Sequence, residues 1–480
     1  MTVRSIASCI AHFAAEKPDA TAITDDQQAI SWRDLDRSTN RLARRYASAG
    51  VREGDFVVVA HPNGVVFYQA CLAAWKLGAT VAPISSRQNE SERNAIIALI
   101  EPALVVGIDA SGTVCLADAN DCDDLSDAPL PDRTTACWKA LASGGSTGRP
   151  KVIVTNMPGA FDPFSPPYAM RVGGTHLVAA PLYHNAAFIF SMLGLFSGNH
   201  IVVMPKFDAE TMLSLVERHR AEWMVLVPTM MARAAKLDPR TRGKYDVSSL
   251  AAVYHTAAAC APWLKHAWID WIGADHLYEI YGATEGCGAA QIRGDEWLER
   301  PGSVGRPMPG FRMEVRGEDG GTLAAGETGE VFMRPDTGPG STYYYIGAEP
   351  RRSDDGWESV GDLGFIDTDG YLYLADRRTD LIISGGVNIY PAEVEGVIES
   401  IPGVGSCAVV GLADEDLGQL VHAIIEADRR VDRETILYEC GRVLSRHKIP
   451  RSMEFVDFAL RNEAGKVRRS ALARERASSE

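Results

Sequence analysis

The chain has no apolar run approaching the roughly 20 residues that a helix needs to cross a bilayer. It also lacks a charged-then-apolar leader, since Met1-Thr2-Val3-Arg4-Ser5 leads directly into an amphipathic pattern. Positive charge is scarce: 48 Lys and Arg stand against 63 Asp and Glu, a net charge of −15. That balance argues against a nucleic-acid or anionic-membrane partner, both of which want a basic surface. The nine cysteines are scattered, odd in number and free of C-x-x-C pairs, so they read as buried thiols in a reducing compartment. Internal repeats, coiled-coil heptads and low-complexity tracts are also missing. The expectation is a soluble cytoplasmic protein, monomeric or homodimeric.

What the chain has is length and apolar content. Its 480 residues, 46% hydrophobic, are enough for large cores and suggest about three domain-sized units. Strand-like runs at Phe56-Val57-Val58-Val59-Ala60, Val81-Ala82-Pro83-Ile84 and Leu104-Val105-Val106 alternate with helical patterns through Phe67 to Leu77 and Glu92 to Leu99. The alternation resumes at His176 to Ala180, Ile201 to Met204 and Met224 to Val227, which predicts parallel sheets covered by helices. From Gly302 to Tyr373 the texture changes to short strands and Gly/Asp turns, predicting a β-rich subdomain. Residues 109–135, polar and Asp-rich, read as a surface excursion. Beyond residue 379 a compact α/β unit of about a hundred residues is expected. The fold class is therefore α/β: a large domain over 1–378 with two parallel-type sheets and a β-rich part, then a small α+β domain over 379–480.

The most informative segment is Leu141-Ala142-Ser143-Gly144-Gly145-Ser146-Thr147-Gly148-Arg149-Pro150-Lys151. Glycines let backbone N–H groups approach an anion, hydroxyls add donors, and cations balance phosphate charge. It is not a Walker A loop, because Pro150 separates the glycines from Lys151 and Val152 follows the lysine. Four segments follow in order: Tyr281-Gly282-Ala283-Thr284-Glu285, Ser359-Val360-Gly361-Asp362, Asp376-Arg377-Arg378-Thr379-Asp380 and Asn462-Glu463-Ala464-Gly465-Lys466. Each alone is an ordinary turn or a solvated charge. Together, and over a span from Pro18 to Lys466, they resemble the adenylate-forming superfamily of acyl-CoA synthetases, peptide-synthetase adenylation domains and luciferases.

The resemblance implies ATP, Mg²⁺ and CoA as cofactors and a small-molecule carboxylic acid as substrate. It implies a phosphate-binding role for Ser143, Gly144, Gly145, Ser146, Thr147, Gly148 and Lys151. Glu285 would be the Mg²⁺ ligand, Thr284 a donor to the α-phosphate, and Tyr281 with Gly282 and Ala258 the adenine site. Asp362 would take the ribose hydroxyls, and Arg377 ribose or phosphate. Lys466 would bridge the attacking carboxylate and the α-phosphate, removing their repulsion. His184, in Pro181-Leu182-Tyr183-His184-Asn185, would orient the acid. Gly386 in Ser384-Gly385-Gly386 would line a pantetheine tunnel once the small domain, a mobile lid in the family, has rotated. Three positions depart from the family pattern. Thr379 replaces the usual Asp or Lys of the hinge, Val360 replaces a threonine, and the adenine loop His255-Thr256-Ala257-Ala258-Ala259-Cys260-Ala261-Pro262 is alanine-rich rather than glycine-rich.

Tyr183 to Phe190, Val227 to Met231, His255 to Cys260 and Gly282 to Gln291 are expected to line the acid pocket, with Phe188, Phe190, Met230 and Met231 as walls. These stretches offer no Lys or Arg for a second carboxylate and no Asp for an amino group, so an α-amino acid is disfavoured. Their small residues imply room for a ring or a branched chain: a cyclic, aryl or arylacrylic acid, with a weaker likeness to ligases of steroid and bile-acid side chains. The expected activity is acyl-adenylate formation followed by transfer to CoA. Transfer to a carrier protein or an amine, activation of a non-carboxylic acid such as nitrous acid, and a binding module without catalysis are the alternatives.

Overall fold

Polar caps set where the first helices begin. The Ser5 side chain accepts from the Ser8 backbone N–H at the start of helix Ile6–Glu16, and Ser31 accepts from that of Asp34 at the start of Trp32–Ser48. The computed structural model describes residues 2–110, 122–144, 150–414, 416–428, 430–462 and 465–477, with the backbone alone at 115–116 and, within those ranges, at 144 and 377.

Thirteen strands form the principal sheet. Its centre is parallel: Thr21–Thr24, His200–Val203, Thr175–Val178, Trp223–Leu226, Ala252–His255 and Leu277–Gly282 lie side by side in that order. These strands are short and almost continuously apolar because helices cover both faces. On one face Leu177, Met224 and Val253 pack with Met212 and Trp268; on the other, Val178 and Val203 pack with Phe188 and Leu195. A second, parallel sheet runs Thr80–Pro83, Phe56–Val59, Leu104–Val106, Cys115–Leu116. A third, antiparallel sheet joins Ala140–Gly144, Pro150–Thr155 and Tyr343–Ile346.

The β-rich stretch expected after residue 302 is present and is joined to the large sheet. Ser303–Pro307 pairs antiparallel with Ala289–Arg293 and carries the ladder of the large sheet onward through Leu372–Arg377, Asp362–Ile366, Gly329–Pro335 and Phe311–Arg316. Continuous backbone pairing is what merges the two regions. Of the Asp-rich excursion, residues 111–114 and 117–121 lie outside the described residues. Its remainder is tied down: Asp132 accepts from Ser8 at 2.9 Å, and Arg44 donates to the carbonyls of Ser126 and Ala128.

The large sheet's last strand in the chain ends at Arg377, and the C-terminal domain's first strand begins at Ile382. That domain has a five-stranded sheet flanked by helices Pro391–Glu399 and Arg433–Val443. Inside it, Arg469 binds Glu395 at 2.8 Å and Asp380 at 2.7 Å, and Arg461 binds Glu399 at 2.9 Å. Asp380 is thereby held by the smaller domain, whereas Arg378 still bonds the Gly361 carbonyl and Glu330 of the large one.

Several contacts seat the two domains on each other, among them the bond from the Ala392 N–H to Asp376 Oδ2 at 2.9 Å. Lys236, at the end of helix Pro228–Ala235, donates to the carbonyl of Val404 at 2.7 Å, with its ammonium 5.4 Å from the Trp263 ring centre. Gly465 is buried against Thr229, where a Cβ would lie 3.2 Å from the hydroxyl. Arg468 and Glu92 form an exposed pair at 3.7 Å. Lys236 is exposed, so its charge-assisted bond to the carbonyl is worth about 1 kcal/mol. Lys236→Met should therefore loosen the seat, and subtilisin should cut the 378–382 connection several-fold faster than in the wild type. An unchanged cutting rate would show that the bond does not hold the domains together.

Candidate active site

The glycine-rich segment is the tip of a β-hairpin. Ala140–Gly144 and Pro150–Thr155 pair antiparallel with Ser143 opposite Lys151 and Gly144 opposite Pro150. Gly145, Ser146, Thr147 and Gly148 lie outside the described residues. Register thus brings the first hydroxyl of the loop and its lysine together at the two ends of the tip.

Lys151 points to Glu285. Its ammonium lies 3.3 Å from the carboxylate and 2.8 Å from the Tyr345 hydroxyl, which in turn donates to Glu285 at 2.6 Å. The same ammonium lies 4.0 Å from the centre of the Tyr345 ring. Burial and the Glu285 charge push the Tyr345 hydroxyl up, so it stays a neutral donor. Tyr345 reaches this place because Tyr343–Ile346 pairs with the hairpin's second strand, and alternation along the strand turns 343 and 345 to the same face. Glu285 itself follows strand Leu277–Gly282 in a turn closed by Gly286 N–H to Ala283 C=O, and Thr342 donates to its carbonyl at 3.1 Å. Thr284 is half-buried in the same turn.

The second grouping is Tyr281, Asp362 and Arg377. The Tyr281 hydroxyl donates to Asp362 at 2.7 Å, and Asp362 sits opposite Arg377 in neighbouring antiparallel strands. Gly282 is exposed at the same strand end, and Ala258 is half-buried in the loop after strand Ala252–His255. In that loop Ala257 takes φ +76°, a left-handed conformation that costs a non-glycine residue about 1 kcal/mol or more. The loop's place next to two strand ends is the usual crevice of a parallel sheet, outside the carboxyl ends.

His184 caps helix Asn185–Phe196, half-buried, its ring 4.3 Å from that of Tyr183. Lys466 is exposed in a tight turn whose geometry depends on Gly465 at φ +73°; the Lys466 N–H bonds Asn462 Oδ1 at 2.9 Å. Gly465 packs on Thr229 and Val227, so the turn bearing Lys466 is set against the large domain at one of the expected pocket segments. Gly386 is elsewhere. It forms with Gly385 a two-residue hairpin, both at positive φ, and a Cβ there would meet nothing within 4 Å.

All four expected pocket walls are buried in the core. Phe188 is fully buried and stacked on Trp138 at 5.7 Å, and Met231 is fully buried with its carbonyl bonded by Trp268. Phe190 and Met230 are buried among strand and helix side chains. Tyr345 and Lys139 were not legible as site residues. A Tyr343-Tyr344-Tyr345 run and a lysine just ahead of an apolar strand are the signals the chain carries for them.

Among the described residues no three His, Cys, Asp or Glu side chains cluster as a metal centre. Glu285 is a buried hard oxygen donor beside the glycine-rich hairpin. One carboxylate suits Mg²⁺, which keeps several waters and takes its remaining ligands from phosphates.

The comparisons agree with this geometry. The AMP-binding enzyme family matches residues 10–344, and the AMP-binding enzyme C-terminal domain matches 393–466. A feruloyl-CoA synthase from Amycolatopsis sp. is 32% identical over 95% of this chain and 96% of its own. A 2-succinylbenzoate–CoA ligase from Bacillus licheniformis is 30% identical over 95% and 97%. ATP-bound MatB from Rhodopseudomonas palustris superposes with a TM-score of 0.82 at 26% identity, over 98% of this chain and 99% of that one. The chain belongs to the AMP-binding enzyme family. Within it the chain is an AMP-forming acid–CoA ligase, acting through an acyl-adenylate with ATP and CoA. No helix of the described residues is long and apolar enough to cross a membrane.

Tyr345→Phe keeps the ring under Lys151 and removes one donor to Glu285, a loss of about 1.5–3 kcal/mol for a bond to a charged group. We expect adenylate formation to fall roughly tenfold or more, because 1.4 kcal/mol is a factor of ten. ATP–pyrophosphate exchange measures it, and a rate within twofold of wild type would remove Tyr345 from the site.

Proposed function

We propose that the chain activates a ring-bearing carboxylic acid, aromatic or arylacrylic, with Glu285, Lys151, Asp362 and Lys466 as the working residues. The observation that carries this reading is the buried Glu285 carboxylate held between Lys151 and Tyr345 beside the phosphate hairpin.

In the first half-reaction a carboxylate oxygen attacks the α-phosphorus, the bond to the pyrophosphate oxygen breaks, and the acyl-adenylate forms. Lys151 neutralises phosphate charge from the foot of the hairpin, and Ser143 stands opposite it as a donor. Glu285 would hold Mg²⁺, which supplies charge neutralisation between phosphates. Thr284 donates to the α-phosphate. Asp362, oriented by Tyr281, accepts from the ribose hydroxyls; Arg377 across the ladder reaches ribose or phosphate. Ala258 and Gly282 border the adenine. Lys466 lies between carboxylate and α-phosphate, so catalysis is positioning and electrostatics, with no covalent bond from protein to substrate. His184 orients the acid. In the second half-reaction the CoA sulfur attacks the acyl carbonyl and AMP leaves.

The ring preference rests on the composition of the expected pocket stretches, which combine the rings of Tyr183 and His184 with the small residues Ala257, Ala258 and Gly282. Flat aromatic surface together with small side chains suits a planar substrate. The feruloyl and succinylbenzoate relatives act on such acids. The domain boundary is proposed at residues 378–379, with the C-terminal domain turning about Thr379 between the half-reactions.

Lys466→Ala should abolish adenylate formation, a loss of at least a hundredfold in pyrophosphate exchange, while thioester formation from preformed acyl-AMP stays within a few-fold of wild type. Equal loss in both assays would make Lys466 structural. Gly386→Leu should do the reverse, because a leucine would fill the passage for pantetheine. Acyl-AMP should then accumulate on the enzyme while thioester falls. Thioester at the wild-type rate would show that the Gly385-Gly386 hairpin does not meet CoA.

A further inference from the structure

Burial of a lysine without a carboxylate is costly, and this chain shows it by contrast. Among the described residues three lysines are buried: Lys76, Lys139 and Lys265. Lys76 binds Asp36 at 2.7 Å, and Lys265 is paired with Glu279. Lys139, 4% exposed, has no such partner. Its ammonium bonds the neutral Asn185 Oδ1 at 3.1 Å and lies 5.8 Å from the ring centre of Trp138. The nearest charge that acts on it is Glu285, and that carboxylate is already engaged by Lys151 and Tyr345. Burial pulls the Lys139 ammonium down to about 8, as expected where no anion compensates lost hydration.

Its position is informative. Lys139 immediately precedes the strand that runs into the phosphate hairpin, and its partner Asn185 opens the helix capped by His184. The ammonium is therefore bonded to the residue that follows His184, and the carboxylate whose charge acts on it is that of Glu285, the proposed Mg²⁺ ligand. Helix Asn185–Phe196 also begins without a side-chain cap, which adds a favourable field for negative charge at that point.

We propose that Lys139 is a further substrate-binding residue, whose ammonium takes an anionic oxygen where the acid's carboxylate and the ATP phosphates meet. The inference rests on the reading that acid and nucleotide meet beside Glu285. It differs in kind from the roles of Lys151 and Lys466: those cations come from the second strand of the hairpin and from the smaller domain, whereas Lys139 is buried just ahead of the hairpin's first strand. A cation kept there at the expense of stability marks a site organised for a ligand.

The test is Lys139→Met, which keeps the length of the side chain and removes the charge. Calorimetry with Mg-ATP and with benzoate, on the intact protein, should show at least a tenfold loss of affinity for one of them, and the melting temperature of the unliganded protein should rise by a few degrees. Weakening for benzoate alone places the ammonium on the carboxylate; weakening for Mg-ATP alone places it on a phosphate. Unchanged Mg-ATP affinity, with benzoate bound equally by both proteins or by neither, overturns the proposal. So does a lower melting temperature with unchanged affinities, the signature of a structural lysine. Lys139→Gln provides the same readouts should the Met variant fail to fold. These binding arms do not depend on turnover. If the wild type exchanges pyrophosphate with no acid, the catalytic reading fails, while the affinities still decide Lys139.

Discussion

One buried carboxylate organises the centre of this molecule. Glu285 arises from the turn after the last parallel strand of the large sheet, yet both side chains that hold it come from the separate antiparallel sheet, Lys151 from the hairpin and Tyr345 from its neighbouring strand. A charge excluded from water is tolerable only with such partners, and removing one leaves the full desolvation penalty. The contact therefore does two things. It welds two sheets that share no backbone ladder, and it places an anion, a cation and a phenol within hydrogen-bond reach beside a phosphate loop.

The lysines proposed to act in this reaction are held in different ways. Lys139 is buried ahead of strand Ala140–Gly144, Lys151 is tethered by a ring and a carboxylate, and Lys466 is exposed on a turn of the smaller domain. Lys236 bonds Val404 and so joins helix Pro228–Ala235, which carries Thr229, to the domain that carries Lys466.

Much of the architecture was legible because it depends on local pattern. Apolar runs of four or five residues separated by helical periodicity announced the parallel strands. The β texture after Gly302 was also visible. Its fusion into one thirteen-stranded sheet was not, since pairing of Ser303–Pro307 with Ala289–Arg293 is a long-range choice that no local periodicity encodes. Phe188 and Met231 illustrate the same limit. Their apolar character is equally suited to a pocket wall or a core, and only the helix's rotation assigns them to the core.

The chain by itself determined which chemistry is available: a glycine–hydroxyl–lysine loop for phosphate, an acidic residue for a cation, another for a sugar diol, and a lysine in a glycine turn, in an order that matches one enzyme family. Residue type and order suffice for that, because the reaction's charge requirements are local. Tertiary structure decided which of these groups share a space. It paired Tyr281 with Asp362, drew Tyr345 into the site from a strand with no motif, and left Lys139 buried without a carboxylate. Those outcomes follow from strand register and burial, and both are properties of the folded chain: residues 134 and 60 positions from Glu285 become its neighbours only when the sheets have closed.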